Sequence, residues 1–236
     1  MQMFEAEAEG LRELASAQVI RVPEVIEVEG HEDGASITME WLDLRRGTAK
    51  TEQMLGRQLA ALHRVTRERF GWHRDNTIGL TRQPNPYTDN WNDFYREHRL
   101  AYQLRLAADN GFGAALQSSG SEIMTNFDRY FDGYEPRPSL LHGDLWGGNW
   151  GCCDGQPVIF DPAVYFGDRE TDLAMTRLFG GFGADFYAAY AESWPLAEGH
   201  ERRCALYQLY HVLNHLNLFG SGYLGQAMAL MKKLLD

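Results

Sequence analysis

Lysine, cysteine and long apolar runs are all scarce in this chain of 236 residues. Its lysines are Lys50, Lys232 and Lys233, and its cysteines are Cys152, Cys153 and Cys204. The adjacent cysteine pair suits neither a disulfide nor a Cys-x-x-Cys metal site, and such a sparse set is typical of a reducing compartment. No apolar run reaches the length of about 18 residues typical of a transmembrane helix, and residues 1–7 lack the pattern of a signal peptide. We therefore expect a cytoplasmic protein without a membrane partner.

Positive charge is also in deficit, because Lys and Arg number 22 against 33 Asp and Glu, a formal net charge of −11. An acidic chain repels a phosphate backbone, and its arginines form no basic patch beyond the group between Arg64 and Arg74. We therefore expect no nucleic-acid partner. The apolar fraction of 44% and the charged fraction of 23% are those of an ordinary globular chain of one large or two small domains.

Hydrophobic periodicity predicts a mixed α+β chain that opens with a helix and a hairpin and then becomes mainly helical. The predicted helices span residues 3–17, 51–65, 91–109, 121–131, 171–180, 184–192, 199–218 and 223–235. The first hairpin joins 22–28 to 35–41 through a turn at 31–34, and residues 66–90 are expected to be irregular. Short apolar runs at 139–142 and 158–160 flank a glycine-rich loop.

That loop carries the motif His-Gly-Asp-x-x-x-x-Asn at residues 142–149, and Asp161 follows the next apolar run. Asp144 and Asn149 stand at the interval between the base Asp and the metal-binding Asn of protein kinases. A hydroxyl nucleophile needs a carboxylate to accept its proton, and Mg²⁺ prefers hard oxygen ligands. We therefore predict Asp144 as the base and Asn149 and Asp161 as Mg²⁺ ligands.

Several neighbouring residues allow a structural and a functional interpretation. His142 is expected to brace the loop rather than to react. Asp172 could cap a helix or tie down the loop. His211 and His215 have the i, i+4 spacing of a zinc pair, but their apolar neighbours favour packing or a place in the substrate pocket. A metal phosphohydrolase built on His142, Asp144 and Asp161 would need further metal ligands close by.

The chain resembles the fructosamine/ketosamine-3-kinase family, which shares the aminoglycoside-phosphotransferase and protein-kinase-like fold. The stretches that carry the resemblance are Phe4-Glu5-Ala6-Glu7, Met39-Glu40-Trp41-Leu42, Asn76-Thr77-Ile78-Gly79, Gln83-Pro84-Asn85, residues 91–100, residues 142–149, residues 159–163, residues 165–170, residues 179–182 and residues 214–223. Trp146 in the loop and the Asn-His-x-Asn…Phe-Gly-x-Gly-Tyr tail distinguish this family from aminoglycoside and choline kinases. Another small-molecule kinase of that kind remains an alternative.

The resemblance implies a two-lobe kinase that uses ATP and Mg²⁺ to phosphorylate the 3-hydroxyl of fructosamine or ribulosamine adducts on amines or proteins, a deglycation activity. The small β-rich N-lobe would be a partial one covering 1–41, followed by a hinge at 42–47 and a helical C-lobe at 48–236. Met39, Glu40, Trp41 and Leu42 would face the adenine. Trp146, Gln83, Asn85 and His215 would border the substrate.

The resemblance also indicates what is missing. Glu7 matches the kinase helix Glu that pairs with a lysine at the nucleotide phosphates, yet no lysine precedes Lys50. We therefore expect an N-terminally shortened family member with Glu7 as an unpaired surface acid and with weakened or absent turnover. A non-catalytic binding module for ketoamine or nucleotide is the alternative. The exposed edge of the hairpin predicts a homodimer.

Overall fold

The computed structural model describes residues 1–32 and 34–236. Helix α1 (Gln2–Ser16) is followed by an antiparallel hairpin of β1 (Val25–His31) and β2 (Gly34–Met39). The helix packs on the hairpin and buries Ala8, Leu11 and Leu14 along one face. The helix and hairpin expected at this end are confirmed; of the predicted turn, Asp33 lies outside the described residues.

Helix α2 (Ala49–Leu62) begins at a capping box in which Thr48 and Thr51 satisfy each other's backbone N–H groups. It packs along α7 (Ala184–Ser193). Gly56 permits the close approach, since a side chain at this position would collide with the carbonyl oxygen of Phe186. The backbone between the hairpin and α2 pairs with a later strand, since Arg45 and Cys152 exchange two hydrogen bonds of 2.8 Å.

The region expected to be irregular, residues 66–90, contains a short hairpin of β3 (Asn76–Ile78) and β4 (Thr81–Gln83). Three-residue strands are too short to give a clear alternation of apolar and polar residues, which is why the pattern missed them. The single helix expected over 91–109 is interrupted: α3 (Trp91–Tyr95) and α4 (Ala101–Asp109) are joined by a π-helical turn, Arg96–Leu100. This turn carries the fully buried Arg99.

Helix α5 (Ala114–Thr125) begins seven residues before the predicted start at 121 and ends in a 3₁₀ turn at Phe127–Phe131. Serines and Gly120 weaken the helical signal of this segment, but Gly120 allows the helix to approach the side chain of Leu104 closely. Tertiary packing therefore outweighs local propensity here.

Four short strands and three longer helices complete the fold. Strand β5 (Ser139–Leu141) pairs with β8 (Tyr165–Gly167), and β6 (Trp150–Cys153) pairs with β7 (Gln156–Ile159). The helices α6 (Glu170–Leu178), α8 (His200–Phe219) and α9 (Leu224–Leu235) follow, close to their predicted bounds. Among the residues described, no helix combines the length and apolar character needed to cross a lipid bilayer.

Candidate active site

The loop between β5 and β6 is held in place by hydrogen bonds to Asp172 of α6. The carboxylate of Asp172 accepts hydrogen bonds of 2.8 Å from the backbone N–H groups of both His142 and Gly143. It also accepts one of 3.1 Å from Nε2 of His63. Burial alone would raise the pKa of Asp172, but these hydrogen bonds together with the nearby imidazoles lower it. Asp172 therefore stays ionised and holds the loop, in the place that the sequence suggested.

Two positions explain why the loop needs its particular residues. Gly143 has a left-handed backbone with φ of +84°, and a side chain there would collide with the carbonyl oxygen of Ala163. The buried His142 accepts a hydrogen bond at Nδ1 from the N–H of Asp144 and donates from Nε2 to the carbonyl of Phe160, at 3.2 and 3.0 Å. Burial lowers its pKa, so the ring is neutral and braces the loop.

Asp144 lies half-buried where two cavities meet. Burial, reinforced by the negative charges of Asp161 and Asp172, raises the pKa of Asp144 to about 7. A carboxyl group with a pKa near neutrality accepts and releases protons readily under physiological conditions. Asp144 and Asp161 line both the cavity beside Glu7, of about 350 Å³, and a second cavity of about 400 Å³ beside α8.

Asn149 and Asp161 present oxygens suited to a hard cation. The Nδ2 group of Asn149 donates to the carbonyls of Asp144 and Asp161, at 3.0 and 3.2 Å, which leaves its Oδ1 for a ligand. Asp161 has an exposed carboxylate on a left-handed backbone with φ of +58°. No cluster of three or more His, Cys, Asp or Glu suited to a metal occurs within 1–32 and 34–236. The pair of Asn149 and Asp161 suits Mg²⁺, which commonly takes its remaining ligands from substrate phosphates and water.

Glu7 lies in the site rather than on the open surface. It is half-buried on α1 and lines the smaller cavity together with Asp144 and Asp161. Burial, followed by the charge of Asp161, raises the pKa of Glu7. The expectation of a surface acid is therefore wrong, because the inner face of α1 turns this residue toward the other carboxylates.

The larger cavity is lined with aromatic rings. Sequence reasoning proposed Trp146 and His215 for the substrate, and both lie here with Phe179, Phe219 and Tyr223. The ring of His215 lies 4.7 Å from that of Phe179 and 5.1 Å from that of Tyr223, measured between centroids. Burial lowers the pKa of His215, whose Nδ1 donates to the carbonyl of His211 at 2.8 Å. His215 and Phe219 are four residues apart on α8, a spacing that could have identified Phe219, whereas Phe179 and Tyr223 come from other segments of the chain.

The placement of Gln83 and Asn85 contradicts a direct role in substrate binding. Both side chains are about 1% exposed, and neither lines the cavities beside Asp144. Their amide groups are already hydrogen-bonded to protein atoms, Gln83 to the carbonyl of Ala163 and Asn85 to Oδ1 of Asn76. Gln83 at the end of β4 and Asn85 just after it are turned into the protein, where their side chains form hydrogen bonds inside the core.

The predicted adenine-facing segment, residues 39–42, begins at the last residue of β2 and leads into the predicted hinge. Glu40 forms an ion pair of 2.8 Å with Arg21, and its N–H donates to the carbonyl of Glu24. The side chain of Trp41 is 92% exposed. The nucleotide-binding role of Met39, Glu40, Trp41 and Leu42 stays a prediction.

Comparison with known proteins gives a consistent result. The model of the fructosamine kinase family matches residues 1–236. A probable ketoamine kinase of Synechocystis is 48% identical over 99% of this chain and 79% of its own length. The crystal structure of a putative fructosamine-3-kinase from Thermobifida fusca superposes with a TM-score of 0.88 at 36% identity, over 99% of this chain and 80% of that one.

A more distant structure shows how far the fold extends. A choline/ethanolamine kinase family protein of Mesorhizobium loti superposes with a TM-score of 0.63 at 17% identity, over 99% of this chain and 79% of that one. At this identity the likeness concerns the fold alone. The chain has the α+β, protein-kinase-like fold that the sequence predicted.

Proposed function

The chain belongs to the fructosamine kinase family, and on that premise we propose that it transfers phosphate from ATP to the 3-hydroxyl of a ketoamine. The observation that carries the proposal is that Asp144 and Asp161 line both the cavity beside Glu7 and the aromatic cavity beside α8. The first would receive the nucleotide phosphates and the second the acceptor. The two reactants would thus meet at the residue with the properties of a base.

Asp144 is the proton acceptor in this proposal. The 3-hydroxyl gives its proton to the Asp144 carboxylate as its oxygen forms the bond to the γ-phosphorus, and the bond from that phosphorus to the bridging oxygen breaks, releasing ADP. Asp172 and His142 keep the base in place through the loop backbone. Asn149 and Asp161 would hold Mg²⁺, which when bound neutralises negative charge on the phosphate oxygens.

The aromatic cavity would bind the sugar-derived part of the acceptor. Ketoamines carry hydroxyl groups next to a secondary amine that is positively charged when protonated. An indole or phenyl face attracts such a cation, and the carboxylates of Asp144 and Asp161 add to this attraction. We assign fructosamine or ribulosamine adducts on small amines or on proteins as the substrate class, a deglycation role.

The remaining assignments rest on the kinase fold and on composition. We propose that residues 1–41 and 48–236 act as the two lobes, with residues 42–47 as the hinge that follows the adenine-facing backbone of 39–42. The sparse cysteines support a cytoplasmic location. Outer edges of β1 and β2 that make no strand pairing within the described residues support a homodimer through the hairpin, which sedimentation of the purified chain tests.

Phosphate transfer to a defined ketoamine tests the function directly. The chain is incubated with Mg²⁺, γ-labelled ATP and a fructosyl-lysine or ribulosyl-lysine peptide, and label in the peptide is measured. We expect Asp144→Asn to lower the rate about 10²- to 10⁴-fold, the usual contribution of a positioned base. Label in the peptide that is independent of Asp144 would contradict the base. Binding of the peptide without any transfer would favour a binding module instead.

A further inference from the structure

A buried polar cluster contacts the backbone of Ala163 and Val164, shortly after Asp161, and has no part in the proposed reaction itself. We call it the amide cluster, and its members are Asn76, Gln83, Asn85, Arg99 and Tyr210, all buried. Arg99 is fully buried, and no carboxylate of the described part of the chain forms an ion pair with it. Its charge is instead met by the carbonyls of Pro84 and His98, by Oδ1 of Asn85 and by the ring of Tyr165, 4.2 Å away. An arrangement that costs so much to bury needs an explanation.

Arg99 fixes the orientation of two amide groups in the cluster, those of Asn85 and Asn76. A guanidinium can only donate, so Oδ1 of Asn85 must face Arg99, at 2.6 Å. The Nδ2 of Asn85 then points to Oδ1 of Asn76, at 3.0 Å. The Nδ2 of Asn76 is left to donate to the carbonyl of Val164, at 2.7 Å. One donor-only residue thus orients two amide groups and delivers an N–H to a chosen backbone oxygen.

Gln83 delivers a second N–H to the same segment. Its Oε1 accepts from the hydroxyl of Tyr210 at 2.8 Å, which turns Nε2 toward the carbonyl of Ala163, at 3.1 Å. Two successive carbonyls, those of Ala163 and Val164, are therefore held by side chains of the β3–β4 hairpin. The segment is also tied on its other side, because the N–H of Ala163 donates to the carbonyl of His142 at 2.8 Å.

Asp161 is the residue that needs this restraint. Its left-handed backbone, with φ of +58°, is unfavourable for a residue other than glycine. Such a conformation persists only where surrounding contacts hold it. Asn149 holds the carbonyl of Asp161 itself, and the amide cluster holds the two residues that follow Pro162.

We propose that Asn76, Gln83 and Arg99 are positioning residues for the metal ligand Asp161. By holding the carbonyls of Ala163 and Val164, they keep the Asp161 carboxylate at the junction of the two cavities. The proposal rests on the function proposed above, because it takes Asp161 as a Mg²⁺ ligand. It also accounts for Gln83 and Asn85, which the sequence placed at the substrate and the structure places in the interior.

Gln83→Met tests the proposal, because methionine has a similar length but no N–H to donate. We expect amide hydrogen exchange at Ala163 to accelerate about tenfold, and Mn²⁺ in the presence of ADP to bind about tenfold more weakly. Nε2 of Gln83 donates both to the carbonyl of Ala163 and to Oδ1 of Asn76, and the loss of two hydrogen bonds worth about 1 kcal/mol each gives changes of this size. Tyr210→Phe, a milder variant that only releases Oε1 of Gln83, should shift both quantities in the same direction, and it decides the matter if Gln83→Met does not fold.

Two controls separate positioning from general destabilisation. Thr81→Val alters the same hairpin but removes a buried hydroxyl that has no hydrogen-bond partner. Leu116→Ala destabilises α5 away from the cluster. We expect neither to change exchange at Ala163 or Mn²⁺ affinity at temperatures where the chain is folded. If Gln83→Met and Tyr210→Phe behave like these controls in either measurement, the proposal is wrong. Failure of the proposed function would instead appear in the transfer assay, as no transfer or as transfer that does not depend on Asp144, and neither of these measurements detects it.

Discussion

Two of the antiparallel hairpins, β1–β2 and β6–β7, are held in opposite ways. The β1–β2 hairpin has no buried residue on β1, and Ile26 is 64% exposed. The β6–β7 hairpin, between Asn149 and Asp161, buries Val158 and Ile159 completely. The first depends on its own ladder and on α1. The second is surrounded by α2 and by the backbone at Arg21 and Arg45. The more firmly held hairpin is therefore the one that lies between the two proposed metal ligands.

Removing the carboxylate beneath the loop should produce the largest change. Asp172→Ala leaves the N–H groups of His142 and Gly143 buried without an acceptor, and we expect it to lower the free energy of unfolding by at least about 3 kcal/mol. Urea unfolding measures this. Asp89→Ala is the matched control, since Asp89 is exposed and pairs only at the surface with Arg69. Equal effects of the two variants would contradict the role given to Asp172.

A matched pair of isoleucines tests the contrast between the hairpins directly. Ile159→Ala should cost about 2–5 kcal/mol, because it opens a cavity in a fully buried site. Ile26→Ala on β1 should change stability by no more than about 0.5 kcal/mol. Thermal or urea unfolding of both variants provides the comparison. A large cost at Ile26 would show that the β1–β2 hairpin is covered in solution, as a homodimer would require.

The pH dependence of stability provides a further test of the role of Asp172. Its pKa is lowered in the folded state, so its contribution to stability is complete above the unfolded value of about 3.9 and is lost as pH falls through the folded pKa. The stability difference between the unaltered chain and Asp172→Ala should therefore shrink below about pH 4. Urea titrations at several pH values follow it. A difference that grows on acidification would contradict the sign.

The aromatic cavity should separate binding from stability. Phe219 is 67% exposed, so Phe219→Ala should leave the melting temperature nearly unchanged. The KM for a ketoamine peptide should nevertheless rise several-fold while the KM for ATP stays the same, because the ring lines only the acceptor cavity. Steady-state kinetics with each substrate varied in turn measure the split. An equal change in both KM values would place Phe219 outside the acceptor site.

Some features were predictable because their signal is local. The loop motif could be recognised because all of its parts lie within about 20 residues of Asp161. These parts are Asp144, Asn149, the glycines between them and the apolar runs on either side. The long amphipathic helices carry their own periodicity as well. The β3–β4 hairpin, the π turn at Arg99 and the long α5 were missed, since each depends on contacts with distant segments rather than on its own pattern.

The sequence identified the family that the chain resembles, and its loop motif predicted which carboxylate would serve as a base and which oxygens would hold a cation. The positions of the residues around this motif follow from the tertiary structure. The tertiary structure turns Glu7 toward the other carboxylates, places Gln83 and Asn85 in the interior, and adds Phe179, Phe219 and Tyr223 to the aromatic cavity. The reason is physical. Reactivity is a property of a side chain and its near neighbours, whereas burial and hydrogen-bond partners come from segments far apart in the chain.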